Sequence, residues 1–287
     1  MTAELGSIES SVVEPERVRS PMVAGVPHPG LRPLLTQDYA GFSGAGHQLV
    51  VPATAAVPLI LRIQDPLDRP PAFLLGVHGS YLTMTEPCAP SYLDVRLAPL
   101  GAYSVLGVPM TEIKGYTVDL DTMFEAEARQ LAEQVREARA WDERFALVDE
   151  FLLRRLDHGR APAPEVRWAW RRLTATGGAA SIAGIADDVG WSHRHLIAKF
   201  KEQIGLAPKT AARLIRFDSV WRRLDDPRAL RWGDVAADSG YADQAHLVRE
   251  FRQFTGTTPT EFLAATRARH PHRDEVNSVQ ATLPAAA

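Results

Sequence analysis

The 287-residue chain reads as an α+β protein of two domains: a β-rich N-terminal domain that ends in two helices, and an all-α C-terminal domain. Three observations predict this. Short apolar runs broken every few residues by Gly or Pro fill 31–118, the pattern of strands and turns. From Asp119 apolar residues recur instead at three- and four-residue steps, the period of a helix with one face on a core. Lastly, one helical phrase occurs twice: "IADDVGWSHRHLIAKFKEQIGLAP" (185–208) returns as "VAADSGYADQAHLVREFRQFTGTTP" (235–259).

Bulk properties limit the class of protein. A chain that is 45% hydrophobic and 23% charged has ordinary globular composition and is long enough for two cores. Its single cysteine, Cys88, provides neither a disulfide framework nor a thiolate metal site, which suits a reducing compartment. The polar start lacks the apolar run of a signal peptide, and "AAVPLILRI" (55–63) is too short and broken to span a bilayer. The expectation is a soluble, cytoplasmic protein with no membrane partner. The net charge of −3 hides an asymmetry: 166–269 holds 17 basic against 11 acidic residues, a net of +6, which leaves −9 for the rest. A basic segment beside an acidic one points weakly toward nucleic acid, whose phosphates reward clustered positive charge.

In chain order, 1–25 reads as a flexible leader and 26–156 as the β-rich domain. The runs "HQLVVPA", "VPLILRIQ", "AFLLGVHGSYL" and "LDVRLAPLGAYSVLG" have strand lengths, and their spacing suggests a small sandwich or barrel. Met123, Phe124, Ala128, Leu131, Val135 and Ala138 make one helical stripe; Trp141, Phe145, Val148, Leu152 and Leu156 make a second. Such a pair packs either on its own sheet or on the same pair of another chain, and periodicity does not separate the two. The Pro- and Gly-containing stretch 157–165 reads as a linker, 166–269 as the helical domain, and 270–287 as a flexible tail.

The two copies match at Gly190 with Gly240, Trp191 with Tyr241, Leu196 with Leu247, Phe200 with Phe251, Gly205 with Gly256 and Pro208 with Pro259. The offset is 50 at the first glycine and 51 afterwards, so the second copy carries one extra residue past its turn. Each copy spells a short helix, a glycine turn, a longer helix, a glycine stop, and a proline that opens the next helix. This is a helix-turn-helix, with Ser192 and Asp243 as N-caps of the second helices. Leu196 and Phe200 share a core face, as do Leu247 and Phe251. The opposite face carries Arg194, Ile197, Ala198 and Lys201 in one copy and Ala245, Val248, Arg249 and Arg252 in the other. Arg194 and Arg249 suit bidentate contacts to guanine, and Ile197, Ala198, Ala245 and Val248 suit thymine methyls. Lys201 and Arg252, a turn further on, suit phosphate, as does Ser192 at its helix start.

With "KTAARLIRFDSVWRRL" as a connecting helix between the copies, 166–267 resembles the DNA-binding domain of the AraC/XylS family of bacterial transcription regulators. The resemblance implies two helix-turn-helix units held by a central helix at about 208–224, so that both recognition helices enter successive major-groove segments on one face of DNA. Carried over by position, the family's base-reading residues fall on Arg194, Ile197 and Ala198, and on Gln244, Ala245 and Arg249. Ile197 and Ala198 stand where polar or basic side chains are frequent, which leaves Arg194 and methyl contacts to carry readout by the first helix. The implied partners are double-stranded DNA, a small-molecule effector, RNA polymerase and a second copy of the chain; no cofactor is expected.

For the N-terminal domain the resemblance implies a cupin-like barrel and dimerising helices. His28, His47 and His78 are scattered without metal-ligand spacing, and the His-Pro-His of the tail lacks further ligands, so no metal site is expected. His78 and Tyr81, polar groups within an apolar run, are the candidates for a ligand pocket. There is no G-x-S-x-G, no G-x-x-x-x-G-K-[ST] and no G-x-G-x-x-G, so no enzyme is expected. A single cysteine also excludes the methyl-accepting repair relatives of this domain. The alternatives are an N-terminal module that binds a partner protein, or a cupin-like enzyme with an accessory DNA-binding domain.

Overall fold

The computed structural model describes residues 22–43, 50–65, 67, 69–83, 91–224 and 231–269. Strand β4 (Val57–Gln64) occupies the run "VPLILRIQ" and pairs antiparallel with β7 (Ser91–Leu97) on one side and β5 (Ala72–Leu75) on the other. With β1 (Met22–Gly25), β2 (Tyr39–Ser43) and β8 (Thr117–Asp119) they form a six-stranded antiparallel sheet in the order β1-β2-β7-β4-β5-β8. A separate two-stranded sheet pairs β3 (Val50–Val51) with β6 (Leu82–Thr83). Val57, Leu59, Leu61 and Ile63 of β4 are buried, as are Leu93, Val95 and Leu97 of β7. Sliding either strand by one residue would turn that whole row to the opposite face, so the apolar alternation fixes the register.

The expected leader is too long by one strand. Met22–Gly25 pairs with β2, Met22 opposite Phe42 and Gly25 opposite Tyr39. Residues 1–21, the tail 270–287, and with them His47 and Cys88, lie outside the described residues. A second correction concerns "LDVRLAPLGAYSVLG", read as one strand. It divides into β7 and a helix, α1 (Pro99–Leu106), with Pro99 at a first-turn position where its missing N–H costs nothing. Seven of the eight residues of α1 are buried, so the helix is enclosed nearly all round and shows no apolar stripe.

The two striped helices are α2 (Leu120–Glu137), interrupted at Glu125 (φ 41°), and α3 (Trp141–Asp157). Their stripes are core of their own domain. Ala128, Leu131, Ala132 and Val135 are buried where α2 crosses β4 and β5, and Phe145, Val148, Phe151 and Leu152 are buried where α3 meets β1, α1 and α2. The ring of Phe145 lies so close on Gly25 that a methyl there would come to 2.2 Å of it, and it stacks on Tyr39 at 5.8 Å. Of the two alternatives left by the periodicity, packing on its own sheet is the one realised.

The C-terminal part is all helix: α4 (Pro164–Ala175), α5 (Ile182–Asp188), α6 (His193–Ile204), α7 (Pro208–Arg223), α8 (Trp232–Asp238), α9 (Gln244–Thr255) and α10 (Pro259–Arg269). The connection expected at 157–165 is shorter, because α3 runs through Asp157 and α4 starts at Pro164. It is also held: Arg160 N–H donates to Ser104 O at 3.3 Å, and Ala163 N–H donates to the buried Gln203 Oε1 at 2.9 Å. The two units share a plan, and their buried residues belong to one continuous core. Leu196 and Phe200 are buried in the first, with Trp170 6.3 Å from Phe200. In the second, Phe217 of α7 meets Phe251 and Phe254 edge-on at 5.5 and 5.1 Å.

Candidate nucleic-acid interface

The repeat in the sequence is a repeat in geometry. Gly190 and Gly240, at the two turns, have φ of 71° and 74°, a region open to glycine at little cost. Ser192 Oγ accepts from His195 N–H at 3.2 Å to start α6, and Asp243 Oδ1 accepts from His246 N–H at 2.6 Å to start α9. Even the rings behind the caps correspond. Trp191 meets His195 edge-on at 4.6 Å, and Tyr241 meets His246 edge-on at 5.2 Å. Gly205 and Gly256 close both helices in the left-handed conformation, and Pro208 and Pro259 open the helices that follow.

These caps and turns rotate the opposite faces of α6 and α9 outward. Ser192, Arg194, Ala198 and Lys201 are exposed on the first helix, and Gln244, Ala245, Arg249 and Arg252 on the second. Ile197 is half-buried. Val248 is half-buried and packs on the core, so part of its apolar surface already has a structural use. Arg194, Lys201 and Arg249 make no ion pair with any described residue, whereas Lys199, on the flank, is held by Glu202 at 2.8 Å. His193 is the repeat counterpart of Gln244 and is equally exposed. It is not among the candidates named from the sequence, although the 51-residue offset points to it.

Behind α9 the charges are arranged to hold the helix. Glu250 is buried and accepts from Nε of Arg213 of α7, whose Nη2 donates to Gln253 Oε1 at 2.6 Å. Burial, followed by the neighbouring Glu250 carboxylate, raises the Tyr241 phenol well above its ordinary range, so it stays neutral.

The two pocket candidates, His78 and Tyr81, differ in burial. His78 is buried with Nδ1 3.0 Å from Gly76 O and Nε2 3.1 Å from Pro52 O, so both ring nitrogens face main-chain carbonyls. Tyr81 is 41% exposed and lies against Gly256. Both stand at the seam between the two domains. Among the described residues no group of His, Cys, Asp and Glu is placed to hold a metal ion, and no helix is long and apolar enough to cross a membrane.

Two capped, glycine-turned helix pairs presenting equivalent outward faces define a double helix-turn-helix domain. Residues 171–265 match the family model described as "Helix-turn-helix domain" (HTH_18), and this part of the chain is an AraC-type helix-turn-helix domain, the DNA-binding domain of transcription regulators. The arrangement of both domains, an antiparallel sheet with helices followed by the helical region, is similar to that of ToxT from Vibrio cholerae. The identity is 12%, over 80% of this chain and 97% of that one, with a TM-score of 0.44. The C-terminal part is similar to the DNA-binding domain of AdpA, solved with a target DNA (26% identity, 38% of this chain, 94% of that one, TM-score 0.32). It is also similar to the C-terminal domain of AraT, a response regulator from Geobacillus stearothermophilus (18%, 37% and 88%, TM-score 0.34). No curated protein matches the chain.

Proposed function

We propose that the chain is a sequence-specific transcription regulator that reads two adjacent major-groove segments of double-stranded DNA, one with α6 and one with α9. The observation that carries this reading is the matched pair of helix faces, each set outward by the same cap, turn and stop. Arg194 and Arg249 are the bidentate guanine readers, with Gln244 on adenine and Ile197, Ala198, Ala245 and Val248 on thymine methyls. Ser192, whose hydroxyl hydrogen remains free to donate after its oxygen caps α6, joins Lys201 and Arg252 on phosphate. The N-terminal domain is the seat of control, by a small ligand or by a second copy of the chain. Such control acts only through a difference in affinity for the DNA-competent arrangement.

The test is selection of full-length protein against random-sequence DNA, followed by footprinting of the enriched sequence. The reading expects one sequence with two protected blocks about one helical turn apart, about 34–36 Å. Sequence-blind binding that falls by about a thousandfold or more between 50 and 200 mM salt would leave only a charged surface.

A further inference from the structure

The last turn of a helix has carbonyls without a partner inside the helix. In α6 one of these, Glu202 O, accepts from Met110 N–H at 2.7 Å. In α9 its repeat counterpart, Gln253 O, accepts from Ser80 Oγ at 3.2 Å, and the next carbonyl, Phe254 O, accepts from Ala53 N–H at 2.8 Å. All three donors belong to the N-terminal domain. The stop glycines repeat the pattern. A methyl at Gly205 would come to 2.3 Å of Val77 Cγ2, and one at Gly256 to 3.2 Å of the Tyr81 ring. Between these points Gly79 faces Thr210 of α7. The five-residue strip 77–81 thus runs past the end of one recognition helix, the connecting helix, and the end of the other.

The strip is fixed to its own domain. Gly76 N–H donates to Tyr116 O at 2.9 Å, and Gly115 N–H donates to Val77 O at 3.1 Å. His78 N–H donates to Thr54 O at 3.4 Å, and the ring's Nε2 lies 3.1 Å from Pro52 O, which ties the strip to the segment that carries Ala53. The segment that holds α9 and the strip that touches both units are therefore one piece. Within the C-terminal domain α7 is the main connection between the units: it packs on α6 and α8, and holds α9 through Arg213 and Phe217.

From this geometry we infer that the N-terminal domain is a brace for the two reading helices. It grips equivalent carbonyls and equivalent glycines at the ends of α6 and α9, and so fixes the spacing between the two DNA segments that the chain accepts. Val77, Ser80, Tyr81 and Met110 are positioning residues. The inference rests on the DNA-reading function proposed above, and its test separates the two.

The variant is full-length Ser80→Ala/Tyr81→Ala; both side chains are exposed, so their removal opens no core, and a thermal melt checks that the fold is kept. The first probe is the DNA sequence selected by the full-length chain, compared with the same sequence carrying one base pair inserted between its blocks. The insertion moves the second block by about 3.4 Å and about 35°. Wild type should lose about tenfold or more in affinity on the insertion, and the variant less than about threefold. The second probe needs no DNA: the spin-label distance between Ala198→Cys and Arg249→Cys in a Cys88→Ser background, narrow with the brace intact and broadened in the variant. Equal spacing discrimination, or an unchanged distance distribution, overturns the brace. If no DNA is selected the DNA reading fails, and the distance measurement alone decides the brace.

Discussion

At the scale of single residues the proposed function assigns the exposed side chains of α6 and α9 to two groups, those that name a base and those that feel only charge. Arg249 is exposed on α9 and forms no ion pair among the described residues, so its guanidinium is available as a two-pronged donor. Arg249→Ala should cost about 1–3 kcal/mol on the selected sequence and relax preference at one base position, which competition against single-base variants would read. An equal loss on every sequence would make it a phosphate contact. Lys201 sits a turn further along its helix. Lys201→Ala should weaken binding to all sequences and reduce the slope of log affinity against log salt by about 1; an unchanged slope would remove Lys201 from the phosphate set. Val248 differs from Ile197 in already packing on the core, so its truncation should cost stability as well as contact.

At the scale of elements the decisive features are the caps and turns that set each recognition helix. A methyl at Gly190 would meet nothing within 4 Å, yet its φ is 71°. Gly190→Ala should therefore lower stability by about 1–2 kcal/mol through backbone conformation alone, with no steric part, as a urea titration would show. No loss at all would mean that the turn re-forms without a positive φ. This motif was legible in the sequence because it is written twice: Ser192 and Asp243 as caps, the paired glycines and the paired prolines stand where the repeat put them. The alternating run of β4 was equally plain. α1 was not, because a helix buried on nearly every side has no stripe, and only Pro99 marked its start. β1 was hidden by its four-residue length inside a polar leader.

At the scale of the whole molecule the domains are joined by more than the connection between α3 and α4. The seam is made largely of main-chain carbonyls and N–H groups, which leave no pattern in a sequence, and of the stop glycines, whose repeat marks two helix ends but not what packs on them. For that reason His78 and Tyr81 stood out as polar residues in an apolar run while their place at the seam did not. The faces of α6 and α9 were legible residue by residue, whereas the structure that holds those faces relative to one another was not. The repeat says that there are two equivalent helices; the seam bears on how far apart they are held.

Whether α6 and α9 each read their own DNA segment, as proposed, is decided by a double-mutant cycle between protein and DNA. Affinity of the full-length chain would be measured for wild type, Arg194→Ala and Arg249→Ala against the selected sequence and against versions with either block scrambled. Scrambling one block should abolish the effect of one arginine substitution and leave the other intact, with the roles exchanged for the other block. If both substitutions cost the same on every DNA, α6 and α9 do not read separate segments.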